Sequence, residues 1–149
     1  MRTVKNILDS KKKSFNIISP EETVFDALQM LNTVNLSYLI VMEGDEYKGI
    51  FCERDYSRNV ILKGRTSSAT KVKDVMTVDL PVITSDDTVE KCMHLIDDYK
   101  TRYLLVFDDE KFLGVVTIND LLRQVLAAKE DVFENSMALK LLDQDEKIF

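Results

Sequence analysis

One window of the sequence combines residue types that can bind a phosphorylated ligand. Thr117, Asn119 and Asp120 follow an apolar run and stand where a helix is predicted to begin. A helix N-terminus presents unpaired N–H groups and positive potential, which favour an anion such as phosphate. Thr117 and Asn119 can add side-chain hydrogen bonds, and Asp120 can accept two hydrogen bonds from a ribose diol. The alternative role for Asp120 is to cap the helix, which typically stabilises a protein by about 1 kcal/mol.

Two sets of basic residues could complete such a site. Arg102 directly precedes the apolar run Tyr103–Phe107, a predicted strand, and its guanidinium is suited to a bidentate phosphate contact. The alternative is a solvated arginine at the end of a strand. The run Lys11–Lys13 would favour longer phosphate chains if it faced the site, although charge runs are more often solvated.

Other kinds of chemistry have little support in the sequence. Cys52, Cys92 and His94 are too few for a structural zinc site, which usually takes four N/S ligands. We expect both cysteines to be reduced and predict no metal site. No Ser/His/Asp or Cys/His set and no Walker motif is present, so we predict a protein that is not an enzyme.

Composition and charge restrict the partners. The 149 residues carry a net charge of −6, which argues against bulk binding to nucleic acid. No run of 18 apolar residues is present, so we expect no transmembrane helix. The N-terminal segment lacks the apolar core of a secretory signal, and we therefore expect a cytoplasmic protein.

The sequence repeats itself after 65 residues. Aligned without a gap, residues 18–61 share ten identities with the second half, whereas chance would give about two or three. The identical positions in the first copy are Ile18, Thr23, Val24, Tyr38, Leu39, Val41, Gly49, Asp55, Arg58 and Val60. The preceding lead-in segments also match, but at a shift of 68 residues: Val4–Leu8 pairs with Val72–Met76.

Each copy is predicted to form a β-α-β-β-α unit. Short apolar runs, a helix with apolar residues at i, i+3, i+4 and i+7, two strands around a polar turn and a second helix follow one another in both copies. We predict an α+β fold in which neither unit buries a full core alone. The predicted boundaries are 1–64 for the first repeat with its lead-in and 65–127 for the second. Residues 128–149 are predicted to form a charged tail or an additional helix.

The whole pattern resembles a tandem pair of CBS (cystathionine-β-synthase) domains. The resemblance is carried by the Thr-Val pair that opens each first helix, the Tyr-Leu-x-Val strands, the two motifs Gly49–Asp55 and Gly114–Asp120, and the linking Val72–Thr77. It covers residues 1 to about 126 and is similar to small stand-alone proteins of two repeats. It implies repeats packed with pseudo-twofold symmetry, two clefts between them, and association into homodimers.

The resemblance also implies a ligand and its binding residues. Family members bind adenosine-containing ligands such as AMP, ADP, ATP or NAD. In the stronger predicted cleft, Asp120 would hold the ribose, Thr117 and Asn119 match the small polar positions, and Arg102 matches a phosphate-binding arginine. The lead-in strand of the other repeat would flank the adenine through Asn16 and Ile18.

The first repeat departs from the family pattern. Asp55 is retained, but Cys52 and Arg54 replace the small polar residues, and Ser37 stands where Arg102 stands in the second repeat. The remaining residues predicted for this weaker cleft are Thr77, Pro81 and Ile83.

We therefore predict a non-catalytic regulatory module that binds an adenine nucleotide, requires no cofactor, forms a homodimer and acts on an unidentified protein. A ligand-free interaction scaffold and a small nucleotide-acting enzyme are the alternatives.

Overall fold

The computed structural model describes residues 2–11, 16–34 and 36–127, so the predicted tail or helix at 128–149 lies outside the described residues. Two copies of the predicted β-α-β-β-α order follow one another, each with a helical lead-in. The elements are α1 (Val4–Ser10), β1 (Ile17–Ile18), α2 (Val24–Val34), β2 (Tyr38–Glu43), β3 (Glu46–Cys52), α3 (Glu53–Asn59), β4 (Val82–Ile83), α4 (Val89–Tyr99), β5 (Tyr103–Asp108), β6 (Lys111–Thr117) and α5 (Ile118–Ala127), with short 3-10 turns at Ile61–Lys63 and Val72–Asp74. The predicted α+β fold is confirmed.

The repeated threonines explain why the first helix of each copy begins where it does. The Thr23 hydroxyl accepts a hydrogen bond from the amide of Asp26 at 3.1 Å, and Thr88 accepts one from Lys91 at the same distance. A threonine in this position satisfies one of the amides that a helix start leaves unpaired. The helices α2 and α4 therefore begin at equivalent points, with the apolar side of each directed at its own sheet.

The two sheets have the same topology. Their orders are β1-β2-β3 and β4-β5-β6, with a parallel first pair and an antiparallel second pair. Each hairpin carries a register shift at the same place, between Val41 and Met42 in one and between Val106 and Phe107 in the other. A shift of one residue in register exchanges the buried and exposed side chains of a strand. Because both hairpins carry their shift at the same position, the two repeats match in strand pairing as well as in sequence.

The compact units of the structure do not follow the sequence repeats. One unit contains residues 2–11 together with 80–127, and the other contains the described residues from 16 to 79. The first lead-in thus belongs to the unit of the second repeat, and the segment before β4 belongs to the unit of the first. The predicted boundaries, 1–64 and 65–127, follow sequence similarity. They differ from these units because the lead-ins are exchanged.

Each lead-in supplies apolar side chains to the core of its unit. Val4 and Ile7 of α1 are buried in the core of the second repeat. Val72 and Val75 are buried in the core of the first. Each repeat therefore has its own core, but that core is completed by residues that precede the other repeat in the chain.

A glycine in each hairpin accommodates the exchanged lead-in. A Cβ placed on Gly49 would lie 2.8 Å from the Sδ of Met76 and 2.9 Å from the carbonyl oxygen of Thr77. These distances are shorter than real Cβ contacts, so no larger residue fits β3 here without moving the lead-in. On the equivalent Gly114 a Cβ would lie 3.3 Å from Leu8, the counterpart of Met76 in the other lead-in.

An ion-pair network also ties the segment before β4 to the first repeat. Glu21 accepts hydrogen bonds from the ammonium groups of Lys71 at 2.7 Å and Lys73 at 2.9 Å. These bonds lower the pKa of Glu21 from 4.5 to about 2. The three side chains are about half exposed, so screening by water keeps the energetic contribution of the network small.

We predict that Val72→Ala destabilises the unit of the first repeat by about 2 kcal/mol, because two buried methyl groups are lost and a cavity remains. Amide exchange should accelerate in β2 and β3. Val78→Ala is the matched control, since Val78 is 62% exposed in the same segment and its truncation should change the free energy of unfolding by less than about 0.5 kcal/mol. Equal effects of the two substitutions would contradict the exchanged packing.

We predict that Glu21→Gln removes a pH-dependent part of the stability. The pKa of Glu21 in the folded protein, about 2, lies below its ordinary value of 4.5, so the ion pairs contribute fully above pH 4.5 and their contribution is lost as the pH falls toward 2. The difference in stability between wild type and variant should therefore be constant above pH 4.5 and shrink below it. Glu22→Gln, at the exposed neighbouring position, should leave the pH profile unchanged.

Candidate functional site

Asp120 lies at the third position of α5 and is fixed there by reciprocal hydrogen bonds. Its Oδ2 accepts from the amide of Thr117 at 2.9 Å, and its own amide donates to the Thr117 hydroxyl at 3.1 Å. This is the geometry of a capping box. The capping role considered for Asp120 is therefore real, and it holds the buried carboxylate in one orientation at the start of the helix.

A lysine from the exchanged lead-in reaches the same carboxylate. The Lys11 ammonium donates to Asp120 Oδ2 at 2.9 Å and to the carbonyl oxygen of Val115 at 2.9 Å. The side chain of Lys11 is 27% exposed and that of Asp120 is 9% exposed, so the ion pair is largely removed from water. The guanidinium of Arg123 lies 4.0 Å from the other carboxylate oxygen.

Two further predicted residues lie around the start of α5. Asn119 is buried directly before Asp120 in the helix. The carbonyl of Arg102 accepts a hydrogen bond from the amide of Ile118 at 3.0 Å, which places the backbone of Arg102 beside the first residue of the helix. The structure therefore brings Arg102, Thr117, Asn119 and Asp120 to one end of β5, β6 and α5.

Asp55 occupies the equivalent position in α3, with different partners. Its Oδ2 accepts from the amide of Cys52 at 2.9 Å and from the Cys52 thiol at 3.4 Å. Its Oδ1 accepts from the hydroxyl of Thr77 at 2.7 Å. Cys52 and Thr77, both predicted for this site, are thus in contact with Asp55. The predicted Arg54 lies next to it on α3 and is exposed.

The surroundings of Asp55 change the acid–base properties of this site. Burial raises the pKa of Asp55, although the hydrogen bonds from Thr77 and Cys52 oppose the shift. Burial, together with the neighbouring Asp55 carboxylate, raises the pKa of the Cys52 thiol to about 11. A thiol with so high a pKa is a poor nucleophile at neutral pH. Cys92 is also a free thiol, and burial raises its pKa to about 11.

The strand residues predicted to flank the base are mainly core residues of their own units. Ile18 and Ile83 are 6% and 2% exposed, and each packs in the core of its own unit. Asn16 is also buried, with its amide 3.4 Å from the Tyr38 carbonyl. The Pro81 carbonyl accepts a hydrogen bond from the amide of Leu105.

The exposed apolar residues of β1 and β4 are the neighbours of the residues that we predicted. Ile17 and Val82 are each 57% exposed and occupy equivalent edge positions, paired with Ile40 and Leu105. Side chains alternate between the faces of a strand, so the exposed face is one residue away from Ile18 and Ile83. The two-residue runs Ile17–Ile18 and Val82–Ile83 contain no alternation that would have distinguished the two faces.

The sequence points to Lys11 only as part of the run Lys11–Lys13, for which solvation is the more common outcome, whereas the structure brings its ammonium to Asp120. A signal for this contact exists at the end of α1, because Lys11 directly follows the helix and stands three residues after Leu8, a spacing that in a helix shares one face. Leu8 packs against the core of the second repeat, so the following lysine is carried toward α5. Recognising this required knowing that α1 packs on the second repeat.

Two further features are absent from the described part of the chain. Among residues 2–11, 16–34 and 36–127, no group of three or more His, Cys, Asp or Glu side chains is arranged to hold a metal ion. Over the same residues, no helix has the length and apolar character needed to cross a bilayer.

Comparison with curated proteins identifies relatives built on the same repeat. The chain is 34% identical over 133 residues to the CBS domain-containing protein CBSX3, mitochondrial, of Arabidopsis thaliana. The alignment covers 83% of this chain and 65% of the plant protein. The chain therefore spans slightly less than two thirds of that relative.

Solved structures show the same fold. A signal-transduction protein with CBS domains from Burkholderia ambifaria matches with a TM-score of 0.78 and 32% identity, covering 86% of this chain and 96% of that one. The crystal structure of CBSX2 in complex with AMP matches with a TM-score of 0.69 and 24% identity, covering 85% and 98%.

The family model for the CBS domain matches the chain twice, over residues 4–61 and 72–127. The two matches coincide with the two β-α-β-β-α copies, and their boundaries fall where the lead-ins begin. On the repeat, the topology of the two sheets and these matches, the chain belongs to the CBS-domain family.

Proposed function

We propose that this protein is a non-catalytic regulatory module that binds an adenosine-containing nucleotide through Asp120. The observation that carries the proposal is the fixed carboxylate at the start of α5, surrounded by Thr117, Asn119 and Arg102. The carboxylate itself is already oriented, so it loses little conformational freedom when it accepts hydrogen bonds from a ribose diol, and this lowers the cost of binding. The AMP bound to the related CBSX2 supports the same class of ligand.

The phosphate of the ligand is assigned to the cationic side of this site. The start of α5 carries positive potential, and Arg102 lies beside it at the end of β5. A guanidinium suits the bidentate recognition of phosphate. AMP, ATP and NAD all present an adenosine and at least one phosphate, so the proposal extends to this class as a whole.

Asp55 is proposed as a second and weaker site. Its carboxylate is as buried as that of Asp120, but Ser37 replaces the arginine and Thr77 supplies a neutral hydroxyl where the other site has an ammonium. We expect ribose recognition without the same affinity for phosphate. Thr117 and Asn119 likewise have less suitable counterparts here, in Cys52 and Arg54.

We predict that Asp120→Asn weakens AMP binding at least about tenfold, since a hydrogen bond to a charged acceptor contributes about 1.5–3 kcal/mol. Asparagine retains an oxygen for the Thr117 amide, so the fold should persist. Isothermal titration calorimetry with AMP measures the effect, and Asp98→Asn, at an exposed position of α4, is the control. Unchanged affinity together with a lowered melting temperature would show that Asp120 only caps the helix. No binding of AMP, ATP or NAD by the wild type would favour the scaffold alternative.

We also propose that the protein forms a homodimer through the region that follows α3 and through α5. Ile61 and Leu62 are 56% and 78% exposed, and Val125 on α5 is 37% exposed. Large apolar side chains that are exposed mark interaction surfaces, and Ile61 and Leu62 are neighbours in the chain. Val60, which directly precedes Ile61, and Leu121 of α5 instead lie in the cores of their units.

Leu62→Lys should weaken this dimer, because a lysine at the buried centre of an interface must be desolvated without a partner. Sedimentation equilibrium at micromolar concentration should give a dimer mass for the wild type and a smaller mass for the variant. Val78→Lys, another exposed valine position outside this surface, should behave as the wild type does. A monomeric wild type would contradict the proposal and favour coverage of this surface by residues 128–149.

The regulated partner and the cellular compartment remain predictions. The family relationship supports a module that reports nucleotide levels to another protein, and the sequence does not specify that protein. A cytoplasmic location is the expectation from the sequence, whereas the name of the plant relative assigns that protein to mitochondria.

A further inference from the structure

Lys11 occupies the carboxylate on which the proposed site depends. Asp120 Oδ2 already accepts two hydrogen bonds, one from the Thr117 amide and one from the Lys11 ammonium, both at 2.9 Å. A carboxylate oxygen offers about two lone-pair positions, so Oδ2 is saturated. The other oxygen has the Arg123 guanidinium at 4.0 Å. A diol that uses both oxygens must therefore displace the Lys11 ammonium.

The equivalent site in the first repeat shows what Lys11 replaces. There the lead-in contributes Thr77, whose amide donates to the Ile50 carbonyl at 2.8 Å and whose hydroxyl donates to Asp55 at 2.7 Å. The Lys11 ammonium makes both equivalent contacts by itself. It donates to Asp120 and to the carbonyl of Val115, the residue that matches Ile50 in the repeat. The two neutral donors of Thr77 in the unit of the first repeat are thus replaced by one positively charged donor, the Lys11 ammonium, in the unit of the second.

This difference has an electrostatic consequence for a ligand. Releasing Lys11 from Asp120 leaves an ammonium that has lost a largely buried ion pair, and this is costly unless a new anion is supplied. A nucleoside supplies none. A nucleotide carries a phosphate on the same ribose, and the flexible four-carbon stem of lysine allows the ammonium to move from the carboxylate to that phosphate.

We propose that Lys11 makes the Asp120 site selective for phosphorylated nucleosides over nucleosides, by neutralising Asp120 in the free protein and transferring to the phosphate of the ligand. The inference rests on the proposed function, and it specifies which members of the ligand class the site accepts. In the first repeat the group that the lead-in places on Asp55 is the neutral hydroxyl of Thr77, so we expect no such selection at that site.

The test measures adenosine and AMP separately on the full chain. Calorimetry gives both affinities, and the amide signals of Asn119 and Asp120 in nitrogen-15 spectra report binding at this site. Lys11→Met should bind adenosine as tightly as the wild type or several-fold more tightly, because Oδ2 is released. It should bind AMP more weakly, so the preference for AMP over adenosine should fall at least about tenfold. Lys5→Met, at an exposed position of α1, is the matched control and should preserve the preference.

Further variants separate charge from packing. Lys11→Arg keeps the charge and should retain the preference for AMP. Should Lys11→Met fail to fold, Lys11→Gln replaces it, since its amide can still donate to the Val115 carbonyl. If the wild type binds both ligands and their affinity ratio is unchanged in the uncharged variant, the role of Lys11 is wrong while the proposed function stands. If the wild type binds neither ligand at Asn119 and Asp120, the proposed function fails and the inference fails with it.

Discussion

The structure depends on the packing of each lead-in over the hairpin of the other repeat. In the unit of the first repeat this contact is so close that Gly49 cannot carry a side chain. The amide and the carbonyl of Thr77 both form hydrogen bonds with Ile50 at the edge strand β3. An edge strand with unpaired amides and carbonyls invites aggregation. The lead-in covers that edge, adds Val72 and Val75 to the core, and places the Thr77 hydroxyl on Asp55. In this unit the same packing of the lead-in therefore completes the core and positions a side chain at the candidate site.

The two aspartates show how a structural role and a binding role can be combined. Capping fixes the direction of the carboxylate, and burial of the helix start limits the solvent around it. Both features serve stability in the free protein, and both also prepare an acceptor for a diol. The two sites differ in the group that the lead-in contributes, a hydroxyl in one and an ammonium in the other. Sequence divergence between the lead-ins therefore changes the charge of a site while the fold stays the same.

Much of the fold could be predicted from the sequence because the responsible interactions are local. Thr23 and Thr88 cap the helices they precede, and the strand runs contain the β-forming residues that match their partners in register. Exchange of the lead-ins could not be predicted in this way. Val4 and Val72 belong to similar segments, and an apolar pattern shows that a segment is buried but not which of two similar cores buries it.

The grouping of residues at the candidate site could be predicted in part for the same reason. Asp120, Thr117, Asn119 and Arg102 lie close together because they surround one strand-to-helix junction. Lys11 is distant in sequence, and a run of lysines ordinarily indicates solvent. The burial of Ile18 and Ile83 could not be predicted, because a two-residue strand gives no alternation from which to assign its faces.

Exchange of the lead-ins also determines what a single repeat can do. One repeat joined to its own lead-in would lack the side chains that complete its core and would expose the apolar face of a segment suited to another core. Two such chains could satisfy each other by domain swapping, at a cost that depends on concentration. When both repeats are in one chain, the exchange of lead-ins is intramolecular. The effective concentration of each lead-in is then set by the connecting residues and not by the protein concentration. In the tandem arrangement both cores are complete without a second molecule.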